Sequence, residues 1–299
     1  MILLFGGDGQ LGREMARVSA ARAVPLVALS RAQGDITDAA AVAEAIKRHD
    51  PSIVINAASY TKVDLAETEA EAAHAANAVG PGIVAAACAR AGVPMIHIST
   101  DYVFDGSKPG PYVEEDAIAP INSYGRSKAV GERAVRDTTP LHVIIRTSWI
   151  YGEFGTNFLK TMLQLAAARD ELRIVADQRG CPTSTPDLAD ALLAIAPQLL
   201  GGKGIWGTYH FAGSGVTTWH GFASRIVAAQ APLTGRAPRV TPITTAEFPR
   251  PARRPANSEL DCSLIARVYG IRGRPWTEET DAITRSLVGA QVGKESHVA

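Results

Sequence analysis

Three glycines follow directly after the first apolar run of the chain. Residues 1–5 form a continuous apolar run, typical of a strand covered on both faces, and Gly6, Gly9 and Gly12 come just before a helical pattern. Glycines at this spacing let the backbone turn sharply, approach a phosphate and pack the helix against the strand. The helix N-terminus then offers free N–H groups to an anion. A tight strand–helix turn without a ligand is the alternative, but glycines in this position favour a dinucleotide site.

Strand-like and helical segments alternate along most of the chain. Further apolar runs at residues 25–29, 53–56, 95–98, 142–146 and 172–175 are separated by helical patterns. This alternation predicts an α/β fold of the Rossmann type, with a doubly wound parallel sheet.

The later third of the chain has a looser pattern. The stretch 232–255 is rich in proline and arginine, and we predict no regular element there, while a last helix is predicted over 277–287. The resulting domain prediction has three parts. They are an NAD(P)-binding Rossmann domain at 1–150 with returning elements at about 172–200, an interleaved, smaller C-terminal substrate-binding lobe over most of 151–290, and a flexible tail at 291–299.

Composition and charge argue against several classes of function. Thirty basic and thirty acidic residues balance, so no global field attracts nucleic acid or an anionic membrane. The cysteines are far apart and odd in number, which predicts neither a disulfide framework nor a zinc cluster. We recognise no secretion signal and no apolar run long enough to span a bilayer. We therefore expect a protein of the reducing cytoplasm.

The end of the second predicted strand bears on the choice of dinucleotide. In dinucleotide folds an acidic residue here holds the ribose 2′-hydroxyl, whereas an arginine accommodates a 2′-phosphate. Arg31 follows Ser30 with no acidic residue beside it. This favours NADP(H), with an ordinary solvated surface arginine as an equal alternative.

A hydroxyl, a carboxylate and two aromatic side chains follow the fourth predicted strand. Thr100, Asp101, Tyr102 and Phe104 come after the apolar run at 95–98, at the sheet edge where ligands bind in open parallel sheets. The long loop from residue 106 to residue 121 lies behind them, as functional loops often do.

Tyr124 and Lys128 are four residues apart, so they share one face of a predicted helix. An ammonium near a phenol favours the phenolate and lowers its pKa, which predicts a proton donor that works near neutral pH. A tyrosine and a lysine meeting by chance on a solvated helix is the alternative. Combined with the glycine turn and Thr100, the pair predicts a hydride-transfer site. Tyr124 would donate the proton, Lys128 would tune it and hold the nicotinamide ribose, and Thr100 would orient the reacting oxygen.

Seven motifs extend along nearly the whole chain, to about Leu287. They are Gly6-x-x-Gly9-Gln10-Leu11-Gly12, Asn56-Ala57-Ala58-x-Tyr60-Thr61-x-Val63-Asp64-x-Ala66-Glu67, Ser99-Thr100-Asp101-Tyr102-Val103-Phe104-x-Gly106, Tyr124-Gly125-x-x-Lys128, Arg146-Thr147-Ser148-Trp149-x-Tyr151, Asp177-Gln178-x-Gly180-x-Pro182-Thr183 and Arg254-Pro255-x-Asn257-Ser258-x-Leu260. In these motifs the chain resembles the extended short-chain dehydrogenases/reductases and, among them, the dTDP-4-dehydrorhamnose reductases. The glycine turn and the Tyr/Lys pair define only the superfamily, whereas the segment from Ser99 to Gly106 and two late motifs are more specific.

The resemblance implies NADPH- or NADH-dependent reduction of the C4 ketone of dTDP-4-dehydro-β-L-rhamnose to dTDP-β-L-rhamnose, for cell-surface polysaccharide. The implied catalytic residues are Thr100, Tyr124 and Lys128. Together with the residues argued above, the implied cofactor site comprises Gly6, Gly9, Gln10, Leu11, Arg31, Asp35, Ile36, Ala57, Ala58, Ser59, Tyr60, Thr100, Tyr124 and Lys128. The implied substrate site comprises Thr100, Asp101, Tyr102, Phe104, Trp149 and Arg254.

Two of these substrate residues have structural alternatives. Trp149 is equally well explained as a core aromatic, because large apolar side chains are mostly inside. Arg254 suits a diphosphate geometrically, but it is one of three neighbouring arginines with Arg250 and Arg253, any of which could be a surface charge.

The chain departs from the family in its metal ligands. Some members bind magnesium between subunits through glutamates, and Glu14 matches one such position. The counterpart falls on or near Pro186, whose side chain has no oxygen for a hard cation. We therefore predict no metal site, and a monomer or a weak homodimer.

Other readings of the same motifs remain open. One alternative is a sugar-nucleotide 4,6-dehydratase or epimerase on the same fold. A dehydratase would carry a glutamate after the strand-four aspartate, where this chain has Tyr102. A non-catalytic, cofactor-binding regulatory subunit would tend to lose the Tyr/Lys pair. A reductase of another nucleotide-linked 4-keto-6-deoxy sugar would share nearly every motif.

Overall fold

A central sheet with helices on both faces forms the larger part of the fold. The computed structural model describes residues 1–295, with side chains described through residue 290. The strands are β1 (Ile2–Phe5), β2 (Leu26–Leu29), β3 (Ile53–Asn56), β4 (Met95–Thr100), β5 (His142–Thr147), β6 (Ile150–Tyr151), β7 (Glu171–Val175), β8 (Arg179–Gly180), β9 (Thr183–Ser184), β10 (Gly207–His210), β11 (Thr217–Thr218), β12 (Arg239–Ile243) and β13 (Asn257–Ser258). The helices are α1 (Gln10–Ala21), α2 (Ala39–His49), α3 (Ala70–His74), α4 (Gly80–Ala91), α5 (Ser123–Thr138), α6 (Phe158–Ala168), α7 (Thr185–Leu200), α8 (Trp219–Thr234), α9 (Ser263–Tyr269) and α10 (Trp276–Glu295).

The six strands of the central sheet are parallel and lie in the order β2-β1-β3-β4-β5-β10. One face packs on α1, α7 and α9, and the other on α2, α4 and α5. The predicted Rossmann-type α/β fold with a doubly wound parallel sheet is thus confirmed. The chain turns from one half of the sheet to the other between β1 and β3, and ligands bind at the carboxyl ends of strands at such a switch point.

The second lobe forms around a separate apolar cluster from α6, α8 and α10. The strand predicted at 172–175 is present as β7, but it pairs with β12 in this lobe instead of returning to the central sheet. The elements that return are α7, β10 and α9. Our prediction of no regular element in 232–255 is wrong, because β12 pairs with β7 in a two-stranded sheet, where an edge position tolerates Pro242.

The last helix is longer than predicted. It continues to Glu295, eight residues beyond the expected end at Leu287. Of the predicted tail at 291–299, residues 296–299 lie outside the described part of the chain.

One long helix crosses one face of the sheet. α3 continues through a π-helical turn, Ala75–Val79, into α4. Contrary to our expectation, the stretch Ala70–Ala91 is long and apolar enough to cross a membrane, but half of it is buried in the fold. It packs against α2 and α5, as a core helix of the domain does.

Candidate active site

The glycine turn lies at the switch point of the sheet. Gly6 has a φ of +90°, and a Cβ atom there would come within 2.6 Å of the Ala58 nitrogen. A Cβ atom on Gly12 would collide with the carbonyl oxygen of Gly6. α1 begins at Gln10 behind Gly9, which has no side chain to cap it. The first N–H groups of α1 therefore face a cradle that only glycines permit, and this cradle fits the pyrophosphate of a dinucleotide.

The side chains on either side of this turn have fixed places. Gln10 accepts a hydrogen bond from Asn157 across the two lobes at 3.0 Å, whereas Leu11 and Ile36 are core residues. Leu11 and Ile36 can therefore meet a cofactor mainly through their backbone.

Arg31 and Asp35 form an ion pair beyond β2. The Arg31 Nε donates to an Asp35 oxygen at 2.9 Å, and the Arg31 side chain is 83% exposed. The other Asp35 oxygen accepts from the backbone and hydroxyl of Thr37, and these bonds, with the Arg31 charge, keep the Asp35 pKa below its usual value. The arginine predicted to contact a 2′-phosphate is therefore exposed to solvent, and its guanidinium is paired with the carboxylate of Asp35.

Asn77 organises the segment that follows β3. This fully buried amide lies in the π-helical turn, and its Oδ1 accepts from the Ser59 hydroxyl at 2.9 Å and from the Tyr60 backbone at 2.8 Å. Its Nδ2 donates to the Tyr60 carbonyl and to the Ser127 hydroxyl of α5. One side chain therefore joins the predicted cofactor segment, which also includes Ala57 and Ala58, to the helix that carries Tyr124.

Three hydroxyl groups meet at the carboxyl edge of β4. The Tyr124 phenol lies beside the hydroxyls of Thr100 and Ser59, close enough for both to lower its pKa. Thr100 donates its own hydrogen to Asp101 at 2.9 Å, and Ser59 donates to Asn77. Both neighbouring hydroxyls thus donate elsewhere, so the hydrogen of the phenol is the one left to give to a ligand at this edge.

Our expectation of a lowered phenol pKa is wrong for this structure. Burial raises the pKa of Tyr124 to about 12, the hydroxyls of Thr100 and Ser59 lower it only in part, and the charge of Asp101 raises it further. The Lys128 ammonium instead donates to the carbonyl oxygen of Ile98 at 2.6 Å. Burial lowers the pKa of Lys128 to about 8, against the opposing effect of Glu132.

A buried ion pair fixes α5 on the sheet behind Lys128. Glu132 accepts two hydrogen bonds from Arg146 of β5, at 2.9 and 2.8 Å, and a third from Ser99 of β4. Both charged side chains are at most 2% exposed. Removal of one partner alone would leave an uncompensated buried charge, so the pair sets the position of α5 firmly.

Asp101, Tyr102 and Arg254 lie beside the hydroxyl cluster. Burial raises the pKa of Asp101 to about 6, although the side chains of Ser258 and Thr100 oppose this. One Asp101 oxygen accepts from the Thr100 hydroxyl, and the other is buried without a hydrogen-bond partner. The Tyr102 ring packs edge-on against Tyr124 at 5.7 Å between centroids, and the Arg254 guanidinium lies 6.0 Å from the Tyr102 ring. Arg254 is largely buried and donates to Asp64 at 3.0 Å.

Two further predicted substrate residues have different environments. Phe104 is fully buried and stacks on Tyr112 at 4.3 Å, with the Arg146 guanidinium over its ring. It is a core residue, and the expectation that it faces a substrate is not met in this structure. Trp149 follows β5 and is partly exposed, with its indole stacked on that of Trp219.

Comparison of the chain with known proteins agrees with this geometry. A family model described as the RmlD substrate binding domain matches residues 1–288. A dTDP-4-dehydrorhamnose reductase of Sinorhizobium fredii is 44% identical over 289 residues, which cover 96% of this chain and 97% of that protein. The chain belongs to the dTDP-4-dehydrorhamnose reductase family. The resemblance drawn from the motifs is thus confirmed.

Solved structures support the same family. A dTDP-4-dehydrorhamnose reductase of Clostridium acetobutylicum superposes with a TM-score of 0.89 at 39% identity, and the match covers 96% of this chain and 99% of that one. A dTDP-4-dehydrorhamnose reductase of Bacillus anthracis in complex with NADP has a TM-score of 0.87 at 35% identity, covering 94% and 97% of the two chains.

Glu14, which matches a metal-ligand position of the dTDP-4-dehydrorhamnose reductase family, is held by protein groups. Its buried carboxylate accepts from Arg17 at 2.9 Å and from the Thr185 hydroxyl at 3.1 Å. Among the described residues, no group of three or more His, Cys, Asp or Glu side chains could hold a metal ion. The absence of a metal site stays a prediction.

Sequence reasoning missed four residues that shape the candidate active site. Asn77 and Glu132 are polar residues on otherwise buried helix faces, which is a signal that a helical projection could have shown. Ser258 stands in a quoted motif without an assigned role. Trp219 gave no local signal, because its partner Trp149 is distant in the sequence.

Proposed function

We propose that this chain reduces the C4 ketone of dTDP-4-dehydro-β-L-rhamnose to dTDP-β-L-rhamnose with NADPH or NADH. The observation that carries the proposal is the placement of the Tyr124 phenol beside the Thr100 and Ser59 hydroxyls, with its ring against Tyr102, at the carboxyl edge of β4. The same edge carries the glycine cradle at the switch point. Relatives named dTDP-4-dehydrorhamnose reductase, which match almost end to end, support this substrate.

The chain's own residues hold the ketone and protonate the alkoxide that develops, while the bound nicotinamide supplies the hydride. Tyr124 gives its proton to the C4 oxygen, since both neighbouring hydroxyls donate elsewhere. Rotation of the Thr100 hydroxyl away from Asp101 would let it donate to the same oxygen. One of the three donors of Lys128 is taken by Ile98, and the others are free in this proposal to hold the nicotinamide ribose.

The substrate would lie across Asp101, Tyr102 and Trp149, with its diphosphate toward Arg254. Asp64 accepts hydrogen bonds from both Arg250 and Arg254, so two guanidinium groups share one carboxylate and a net positive charge remains. That charge suits a nucleoside diphosphate. Arg31 would face a 2′-phosphate of the cofactor.

We expect this reaction in the cytoplasm, with the chain acting as a monomer or weak homodimer. The thiols of Cys88, Cys181 and Cys262 are free, as is usual in a reducing compartment. Neither expectation bears on the chemistry at Tyr124.

Turnover of defined substrates tests the proposal. The purified protein is incubated with dTDP-4-dehydro-β-L-rhamnose and, separately, with its epimers at the sugar carbons, each with NADPH and with NADH. We expect nicotinamide oxidation with the rhamnose precursor and a product identified by NMR as dTDP-β-L-rhamnose. Preferred turnover of another epimer would assign a different 4-keto sugar, and no oxidation with any of them would contradict a reductase.

A further inference from the structure

Trp149 is held in a backbone conformation that its surroundings must maintain. Its φ is +48°, in the left-handed region that bulky residues rarely adopt. Such strained residues persist where neighbouring structure fixes them, and they cluster at functional sites. Trp149 lies just beyond Thr147, which pairs with Thr100 across β4 and β5. The strain therefore occurs at the same sheet edge as the hydroxyl cluster.

Two parts of the second lobe fix the Trp149 ring. The Trp219 indole stacks on it with centroids 3.6 Å apart and planes 7° from parallel. Gly180 lies against the ring so closely that a Cβ atom there would come within 2.6 Å of the indole carbon Cε2. Gly180 of β8 and Thr217, two residues before Trp219, pair in the same small sheet, because β8 is antiparallel to β11.

The same small sheet reaches Asp101. β13 pairs with β8 so that Ser258 lies opposite Gly180, and the Ser258 side chain lies near enough to the Asp101 carboxyl to lower its pKa. Trp219 is itself oriented, since its indole N–H donates to Gln178 at 3.2 Å. One unit of the second lobe thus contacts Trp149 and lies beside Asp101, two predicted substrate residues on the Rossmann domain.

We propose that Trp219 is a positioning residue for the nucleotide-sugar substrate, acting by fixing the indole of Trp149. This inference rests on the proposed function for the identity of the ligand. Trp219 itself needs no contact with the reacting atoms or with the dinucleotide. Its loss therefore weakens sugar-nucleotide binding and spares cofactor binding.

Trp219→Leu tests this with a spectroscopic and a kinetic measurement. Two indoles stacked this close couple their electronic transitions, so we expect from the wild-type protein a paired positive and negative circular dichroism band that the variant lacks. We expect a KM for the keto-sugar nucleotide raised about tenfold, a kcat within about twofold and an unchanged Kd for NADPH. Trp219→Phe keeps a stacking ring and restores most of the KM.

Two matched variants separate positioning from general stability. Trp206→Phe removes an indole at the main core and keeps the paired band. Phe222→Leu removes a buried aromatic from the cluster that Trp219 packs against, and it lowers the melting temperature without raising KM. An unchanged KM in Trp219→Leu, a parallel loss of NADPH affinity, or a paired band that persists would overturn the inference.

The outcome is distinguishable from failure of the proposed function. If the wild-type protein binds dTDP-β-L-rhamnose but reduces no keto sugar, the proposed reaction is wrong, and Trp219 is judged by the Kd for that ligand. A Kd for dTDP-β-L-rhamnose that is equal in wild type and Trp219→Leu, or no binding of that ligand by the wild type, overturns the inference.

Discussion

The Lys128 ammonium donates a hydrogen bond to the carbonyl oxygen of Ile98, near the carboxyl end of β4, at 2.6 Å. This contact holds a cation where water is excluded, and burial lowers the Lys128 pKa to about 8. A buried lysine with a lowered pKa costs folding stability whenever it is charged. The chain therefore retains Lys128 at a cost to folding, as residues at functional sites often are.

Lys128→Met should stabilise the fold and abolish turnover. The lowered pKa corresponds to roughly 3 kcal/mol against the charged folded form at neutral pH, and about 1 kcal/mol is lost with the Ile98 hydrogen bond. We expect a net gain of about 1–2 kcal/mol in the free energy of unfolding at neutral pH.

The pH dependence gives the sign of this effect. Because the folded-state pKa of Lys128 lies below the model value of 10.5, the wild type loses its penalty as pH rises from about 8 to 10.5. The advantage of Lys128→Met should therefore shrink over this window in denaturant melts. Lys47→Met, at an exposed position of α2, serves as the control and should show no such window. An advantage that stays constant with pH would show that Lys128 is not buried as a cation.

Asn77→Ala should loosen the cofactor segment. The variant leaves the Tyr60 N–H and the Ser59 hydroxyl without their acceptor and the Tyr60 carbonyl without its donor, so we expect a loss of about 1–3 kcal/mol in unfolding free energy. The Kd for NADPH, measured by calorimetry, should rise several-fold. Gln230→Ala is a matched control, because this buried amide bonds the Arg236 carbonyl away from the site. Equal effects of the two variants on Kd would argue against a positioning role for Asn77.

Arg31→Ala should reduce the preference for NADPH over NADH. A charge-assisted contact to a 2′-phosphate is made only with NADPH, so the ratio of the two kcat/KM values should fall about tenfold. Arg48→Ala removes a comparable exposed arginine, paired with Glu44, and should leave the ratio unchanged. If Arg31→Ala also leaves the ratio unchanged, Arg31 is an ordinary solvated residue.

The sequence predicts best where a pattern is local. The apolar runs at β1, β3, β4 and β5 and the glycine turn have periodicities and spacings that a few neighbouring residues determine. The pairing of β7 could not be predicted in this way, because a strand's partner depends on distant residues. Its partner β12 follows only after the helices α7 and α8.

The same limit applies to the site. The Tyr124 and Lys128 positions on one helix were predictable, but the direction of the Tyr124 pKa shift was not. Burial depends on the whole fold, and the Lys128 ammonium bonds the carbonyl of Ile98, thirty residues away in the chain. Phe104 shows the converse, since a motif position does not reveal on which side of the loop a ring packs.

Tyr124→Phe tests the central role most directly. The change removes one hydroxyl, keeps the ring against Tyr102 and leaves the glycine cradle intact. Single-turnover nicotinamide oxidation with dTDP-4-dehydro-β-L-rhamnose should slow by about 10³-fold with an unchanged Kd for NADPH, since general acid catalysis contributes on that order. Tyr209→Phe, whose hydroxyl bonds the Ile205 carbonyl, should react at the wild-type rate. A Tyr124→Phe rate close to that of the wild type would contradict the assignment of Tyr124 as the proton donor.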